Sequence, residues 1–157
     1  MELLWQELTN GLPDSRVLFT VLIRVIAATL LGALVGFQRE RAGKPAGLRT
    51  HILVSLGTAV VVVACSASGM NMDGLSRVIQ GIVTGIGFIG AGSILKVSEE
   101  RDIRGLTTAA GLWLTAAVGV ACGLGTIGIA IIAAILALIV LALEGLAARL
   151  RKKPQEA

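Results

Sequence analysis

A chain of 157 residues with 55% hydrophobic, 15% charged and 3% aromatic residues departs from soluble domains, where about a quarter of residues are charged. Its apolar residues form blocks long enough to cross a bilayer, and five blocks of about 20 residues leave fewer than about 60 for all loops and tails. That remainder excludes an extramembrane catalytic domain, a nucleotide-binding cassette and a DNA-binding module. The formal net charge of +4 does not point to nucleic acid, because the basic residues cluster at block ends rather than on one face.

Residues 1–16 read as an N-terminal interfacial segment, with a short interfacial helix over 1–8 that includes Trp5. The acidic start and the absence of a small-residue cleavage pattern argue against a signal peptide. Five spans are predicted at about 17–37, 48–67, 78–95, 106–121 and 126–146, followed by a basic tail over 147–157. Asp14 or Ser15 is placed to cap the first helix. The connections are the polar stretch 38–45, the segment 69–74, the charged loop 96–104 and the short turn Gly123-Leu124-Gly125. Cys65 and Cys122 both fall in apolar blocks and read as small packing residues, not as a disulfide, metal pair or redox couple.

Charge orients this map. Five spans place Arg39, Arg41, Lys44, Arg49, Lys96, Arg101, Arg104, Arg149, Arg151, Lys152 and Lys153 on one side, eleven of the fourteen basic residues. Arg16 and Arg77 fall on the other, and Arg24 lies within the first span. The positive-inside rule then puts the N-terminus outside and the C-terminus in the cytoplasm. The expected fold is an all-α membrane protein of five transmembrane helices.

Internal repetition appears at an offset of 58 residues. Gly32-Ala33 recurs as Gly90-Ala91, and Gly47-Leu48-Arg49-Thr50 recurs as Gly105-Leu106-Thr107-Thr108. The pattern predicts two helical hairpins of the same orientation plus a fifth helix, related by a pseudo-two-fold axis along the membrane normal.

Twenty glycines are present, five of them (Gly81, Gly85, Gly87, Gly90 and Gly92) within the twelve residues 81–92. Gly85-x-Gly87-x-x-Gly90 matches the dinucleotide-binding fingerprint, but it lies in an apolar span with no βαβ unit around it. Close helix packing accounts for these glycines and for Gly32 and Gly36, since small residues let backbones approach. The alternative is a span unwound around a ligand.

Arg24 sits seven residues into the first span, about 10 Å below its end at 1.5 Å per residue. Two readings stand side by side: the side chain snorkels to the interface, or it turns inward to Asp73, or to Gln80 and backbone carbonyls. An intramembrane ionisable residue is a functional candidate by default. Neither Asp nor Glu lies deep in a span; Glu144 falls in the last turn of the fifth. Magnesium sites draw on carboxylates and proton-coupled carriers keep ionisable groups in their spans, so a self-contained cation carrier is not supported. The single histidine, His51, falls in the first turn of the second span. Triad and zinc-spacing sets are missing too, which argues against an enzyme and predicts no cofactor.

The densest polar region sets Arg39, Glu40, Arg41, Lys44 and Arg49 opposite Glu99, Glu100, Arg101, Asp102 and Arg104, with Thr50, Thr107 and Thr108 beside two helix N-termini. That arrangement can hold a phosphate or lipid headgroup; the plainer reading is orientation charge and salt bridges between loops.

The ordered motifs make the chain recognisable. They are Leu30-Leu31-Gly32-Ala33-Leu34-Val35-Gly36 leading to Arg39, Ala46-Gly47-Leu48-Arg49-Thr50-His51, and Arg77 with Gln80-Gly81-Ile82-Val83. There follow Gly85-Ile86-Gly87-Phe88-Ile89-Gly90-Ala91-Gly92, Ile103-Arg104-Gly105-Leu106-Thr107-Thr108-Ala109-Ala110, Leu112-Trp113 and Cys122-Gly123-Leu124-Gly125. With these the chain resembles the MgtC/SapB family of bacterial inner-membrane proteins, in a short form without the cytoplasmic domain that some members add. The resemblance implies a regulatory membrane protein tied to adaptation to low magnesium, to survival of pathogens within host cells and to modulation of the ATP synthase. Membrane lipids, a membrane complex and a second copy are the implied partners. The rival expectation is a channel or carrier for ions or small solutes through the bundle, lined by Arg24 and Gln80. Family members often carry Glu before the arginine that ends the first span, whereas Gln38 precedes Arg39 here and Glu40 follows.

Overall fold

The computed structural model describes residues 1–2, 14–97 and 102–151. The expected interfacial helix over 1–8 and the ion pairs expected of Glu99, Glu100 and Arg101 lie outside the described residues. Five helices carry the fold: α1 (Ser15–Arg41), α2 (Leu48–Ala67), α3 (Met72–Gly92), α4 (Leu106–Gly123) and α5 (Ile127–Arg151). The first four are each long and apolar enough to cross a membrane; in α5 the corresponding apolar stretch is Ile127–Leu143.

Local chemistry sets the helix starts. Asp14 Oδ1 accepts the Ser15 N–H at 2.8 Å, and Asn71 Oδ1 accepts the Gly74 N–H at 2.8 Å; each satisfies one of the donors a first turn leaves unpaired. α1 continues through Arg41, one turn past the expected end at 37. α3 begins at Met72 rather than 78 and ends at Gly92, because Asn71 supplies the cap before the apolar run begins. The charged loop holds a feature the sequence reading did not place: β1 (Leu95–Val97) pairs antiparallel with β2 (Asp102–Arg104), Leu95 facing Arg104. Gly105 ends this hairpin at φ +98°, where an added Cβ would run into the Ser93 carbonyl oxygen.

α4 is the central helix. It touches every other helix, and 56% of its membrane window is buried, against 28% or less for the other three spans. α1 packs chiefly on α2, α3 leans on α4 with a lesser contact to α2, and α5 covers α1 and α4. The core is built from small residues: Ala28, Ala59, Val118, Cys122 and Ala130 form one cluster. Lipid does not drive helices together as water does, so close van der Waals approach through small side chains takes that part. Leu30, Phe88, Ile132 and Val140 are all more than half exposed while Arg39 is 1% exposed. Apolar outside and polar inside is the arrangement that a hydrocarbon solvent imposes.

The repeat is visible in three dimensions. α2 and α4 begin at Leu48 and Leu106, each after a glycine. A Cβ on Gly32 would meet the His51 carbonyl oxygen at 2.8 Å, and a Cβ on Gly90, 58 residues later, would meet Ala109, 58 residues after His51, at 3.6 Å. Thr58 Oγ1 lies 3.2 Å from the Ala116 carbonyl oxygen, again 58 residues away. Contact between equivalent positions is what a two-fold axis between α2 and α4 produces.

Candidate functional site

The buried polar side chains among the described residues are Arg39, His51, Ser55, Thr108 and Thr115, each 2% exposed or less. They come from α1, α2 and α4 and meet along one seam. Arg39 Nη2 donates to Thr108 Oγ1 at 3.0 Å, tying α1 to α4. His51 Nδ1 lies 2.7 Å from Thr115 Oγ1, tying α2 to α4. Thr115 Oγ1 also lies 2.8 Å from the Gly111 carbonyl oxygen. Thr115 Oγ1 thus bridges the imidazole and the Gly111 carbonyl, and the ring tautomer sets which of His51 and Thr115 donates. Nε2 and Ser55 Oγ are buried with no hydrogen-bond partner among the described residues.

Glycines make the seam by letting backbones close over it. A Cβ on Gly36 would meet Leu48 Cα at 2.8 Å and His51 Cβ at 2.9 Å, while Gly111 faces the imidazole at 3.7 Å. Gly119 lies against the Ser55 carbonyl and the Thr58 hydroxyl, and Gly123 against Ala59 and Val62. Thr108, Gly111, Thr115 and Gly119 thus form a small and polar stripe on α4 at helical spacing.

Arg24 is half-buried and donates from Nη1 to the Gly123 carbonyl at 2.9 Å. That carbonyl belongs to the last turn of α4, which leaves its C=O groups without helical partners and carries the negative end of the helix dipole. An added Cβ at Gly125, where φ is +85°, would lie 2.7 Å from the same guanidinium. Asp73 and Gln80 stand exposed on α3, and the arginine is matched to a helix end instead. Arg24→Ala is expected to lower stability by about 1–2 kcal/mol, the range for a hydrogen bond to a charged group with a favourable dipole. Unfolding in detergent micelles measures it.

The other expected residues are distributed as follows. Glu40 Oε2 accepts the Leu48 N–H at 2.8 Å and so caps α2, a first turn whose N-cap, Gly47, has no side chain to do so. Arg49 and Thr50 line a groove between α2 and α3 of about 500 Å³. Thr107 lines a second cavity of about 410 Å³ beneath α5. Arg77 and Arg104 are exposed. Of the glycines, Gly32 and Gly36 lie against α2 and Gly90 against α4, whereas Gly81, Gly85, Gly87 and Gly92 would find nothing within 4 Å of an added Cβ. Sequence reasoning left His51, Ser55 and Thr115 outside the candidate set. The available signal was polar residues at i and i+4 on α2, and at i and i+7 on α4, within apolar runs.

The MgtC family profile matches residues 25–150, a stretch that contains the whole seam. The chain belongs to the MgtC family. It is 44% identical over 119 residues to protein SrpB of Synechococcus elongatus, covering 68% of this chain and 65% of that one. With protein MgtC of Salmonella typhimurium it shares 42% identity over 125 residues, 80% of this chain and 52% of the relative. With the Escherichia coli K12 protein named "Putative magnesium transporter YhiD" it shares 41% over 127 residues, 76% and 58%. The chain thus spans roughly half to two thirds of the length of these curated relatives. No solved structure matches it at a significant level. MgtC-family membership and the apolar helices together make it a multi-pass membrane protein.

Proposed function

We propose that this MgtC-family chain is a non-enzymatic regulator in the bacterial inner membrane, with its C-terminus in the cytoplasm, acting on another membrane complex through helix–helix contact. Adaptation to low magnesium, intracellular survival and modulation of the ATP synthase are the roles proposed for it. The observation that carries the reading is the uncovered face of α3. Gly81, Gly85, Phe88 and Gly92 fall along one stripe at helical spacing; the glycines meet nothing within 4 Å, and Phe88 is 85% exposed. Such a small-residue face admits a partner helix closely. The buried polar groups support it as well, because Arg24, Arg39 and His51 each bond to α4 and hold helices together. The eleven basic residues on one side support the orientation.

The test uses inverted membrane vesicles containing ATP synthase. Adding the chain is expected to lower ATP-driven proton pumping, and Gly81→Leu, which adds bulk at the open face outside the α2–α3 groove, is expected to restore it. Robust flux of magnesium, protons or phosphate through the purified protein in liposomes, with pumping unchanged, overturns the regulatory reading in favour of a carrier.

A further inference from the structure

The pseudo-two-fold leaves the bundle asymmetric. Its two hairpins create two equivalent clefts, one between α1 and α4 and one between α3 and α2. α5 packs beside the first, leaving an open-sided cavity lined by Thr107 and Gly111. No helix among the described residues covers the second. Its wall carries Arg49 and Leu53, the positions 58 residues before Thr107 and Gly111, together with Gly57, Val61, Ile82 and Ile86. The covered cleft therefore has a threonine at its rim where the open one has an arginine.

Three features define what fits the open groove. Its lining along α2 from Leu53 to Val61 is apolar but for Thr58, whose hydroxyl is turned to helix carbonyls. Arg49 to Val61 spans about 18 Å at 1.5 Å per residue, close to the thickness of one leaflet, about 15 Å of a 30 Å hydrocarbon core. Arg49 stands at one end, exposed, with no hydrogen bond or ion pair from its guanidinium among the described residues. A cation at the end of a leaflet-long apolar slot complements one kind of molecule, a lipid with an anionic head.

We propose that the groove between α2 and α3 binds one acyl chain of an anionic phospholipid whose phosphate is held by Arg49. The groove shares Gly85 with the open α3 face, and the Arg49 variant below leaves that face unchanged. Arg49 selects the headgroup, and Gly57 and Gly85 leave the width for the chain, since an added Cβ at either meets nothing within 4 Å.

The experiment is native mass spectrometry of the full chain released from detergent, with phosphatidylglycerol or phosphatidylcholine of the same acyl chains. Phosphatidylglycerol is expected to be retained about fivefold or more over phosphatidylcholine, the factor for one arginine acting on an anionic head. Arg49→Gln is expected to abolish that preference while leaving chain binding, and Gly57→Leu to displace both lipids. Gly85→Leu fills the same slot from the opposite wall and serves if Gly57→Leu does not fold. Equal retention of the two lipids, or an unchanged preference in Arg49→Gln, overturns the proposal. So does thermal protection by inorganic phosphate equal to that by phosphatidylglycerol, which would mark a headgroup site without a chain. A lipid-free dimer that Gly57→Leu converts to monomer also overturns it, assigning the groove to a second copy.

Discussion

Gly119→Ala is expected to destabilise the bundle by about 2 kcal/mol or more, the overpacking range for a methyl forced into a filled contact. The added Cβ would collide with the Ser55 carbonyl and the Thr58 hydroxyl of α2. The carbonyl is backbone inside a helix and cannot swing aside, so α2 and α4 must separate. Separation also weakens the His51–Thr115 bond, four residues along α4, and the reach of Thr58 to the Ala116 carbonyl. Against this stands the intrinsic helix preference of alanine over glycine, about 1 kcal/mol, which the collision outweighs. The paired control is Gly57→Ala, on the same α2 but facing open space, where preference acts alone and a gain of up to about 1 kcal/mol is expected. Unfolding of both variants in mixed detergent micelles gives the two signs. Equal effects would show that α2 and α4 do not meet at Gly119.

Arg39→Ala carries the second large expectation. The side chain is 1% exposed and bonds to Thr108 across the α1–α4 boundary. Truncation removes a large buried side chain and opens a cavity, a change that costs about 2–5 kcal/mol in packed interiors. Thr108→Ala removes less, about 1–3 kcal/mol, because it withdraws a partner from a buried charge. The two losses should not add. A double-mutant cycle is expected to show a coupling of about 0.5–3 kcal/mol, and zero coupling would mean that the bond does not hold α1 to α4. Arg41→Ala, two residues further on and on another face of α1, exposed and stacked 4.4 Å over Phe37, serves as the comparison; about 0.5–1 kcal/mol is expected there.

Much of the architecture was legible in the residues. Asp14, the Leu48 and Leu106 starts and the glycine-bounded turn after α4 are local features, and local rules place them. The 58-residue repeat was legible for the same reason, because it consists of matched short motifs at matched helix starts. Less legible were the ends of α1 and α3, where polar residues continue a helix beyond its apolar run, and the β1–β2 hairpin inside the charged loop. The glycines divided in a way no motif announces: Gly36 and Gly119 touch α2, while Gly81 and Gly85 face outward. All have the same neighbours in kind, small and apolar.

The site was the least legible part. Arg39 and Thr108 were both candidates, but their pairing spans 69 positions, and the partner of Arg24 lies 99 positions away. His51 and Thr115 stand 64 positions apart, and no motif in the sequence links them; two packed helices bring them together.

Length, composition and charge by themselves determined that this is a membrane protein of five helices, since continuous apolar blocks of about 20 residues fit spanning helices and not the roughly 10-residue alternating strands of a barrel. The tertiary structure alone decided what the few remaining polar residues do. A linear pattern leaves open how each helix is rotated about its own axis and which helix it meets. Packing settles both, and in doing so it turned the lone intramembrane arginine into the cap of α4 and the second buried one into a tie between α1 and α4.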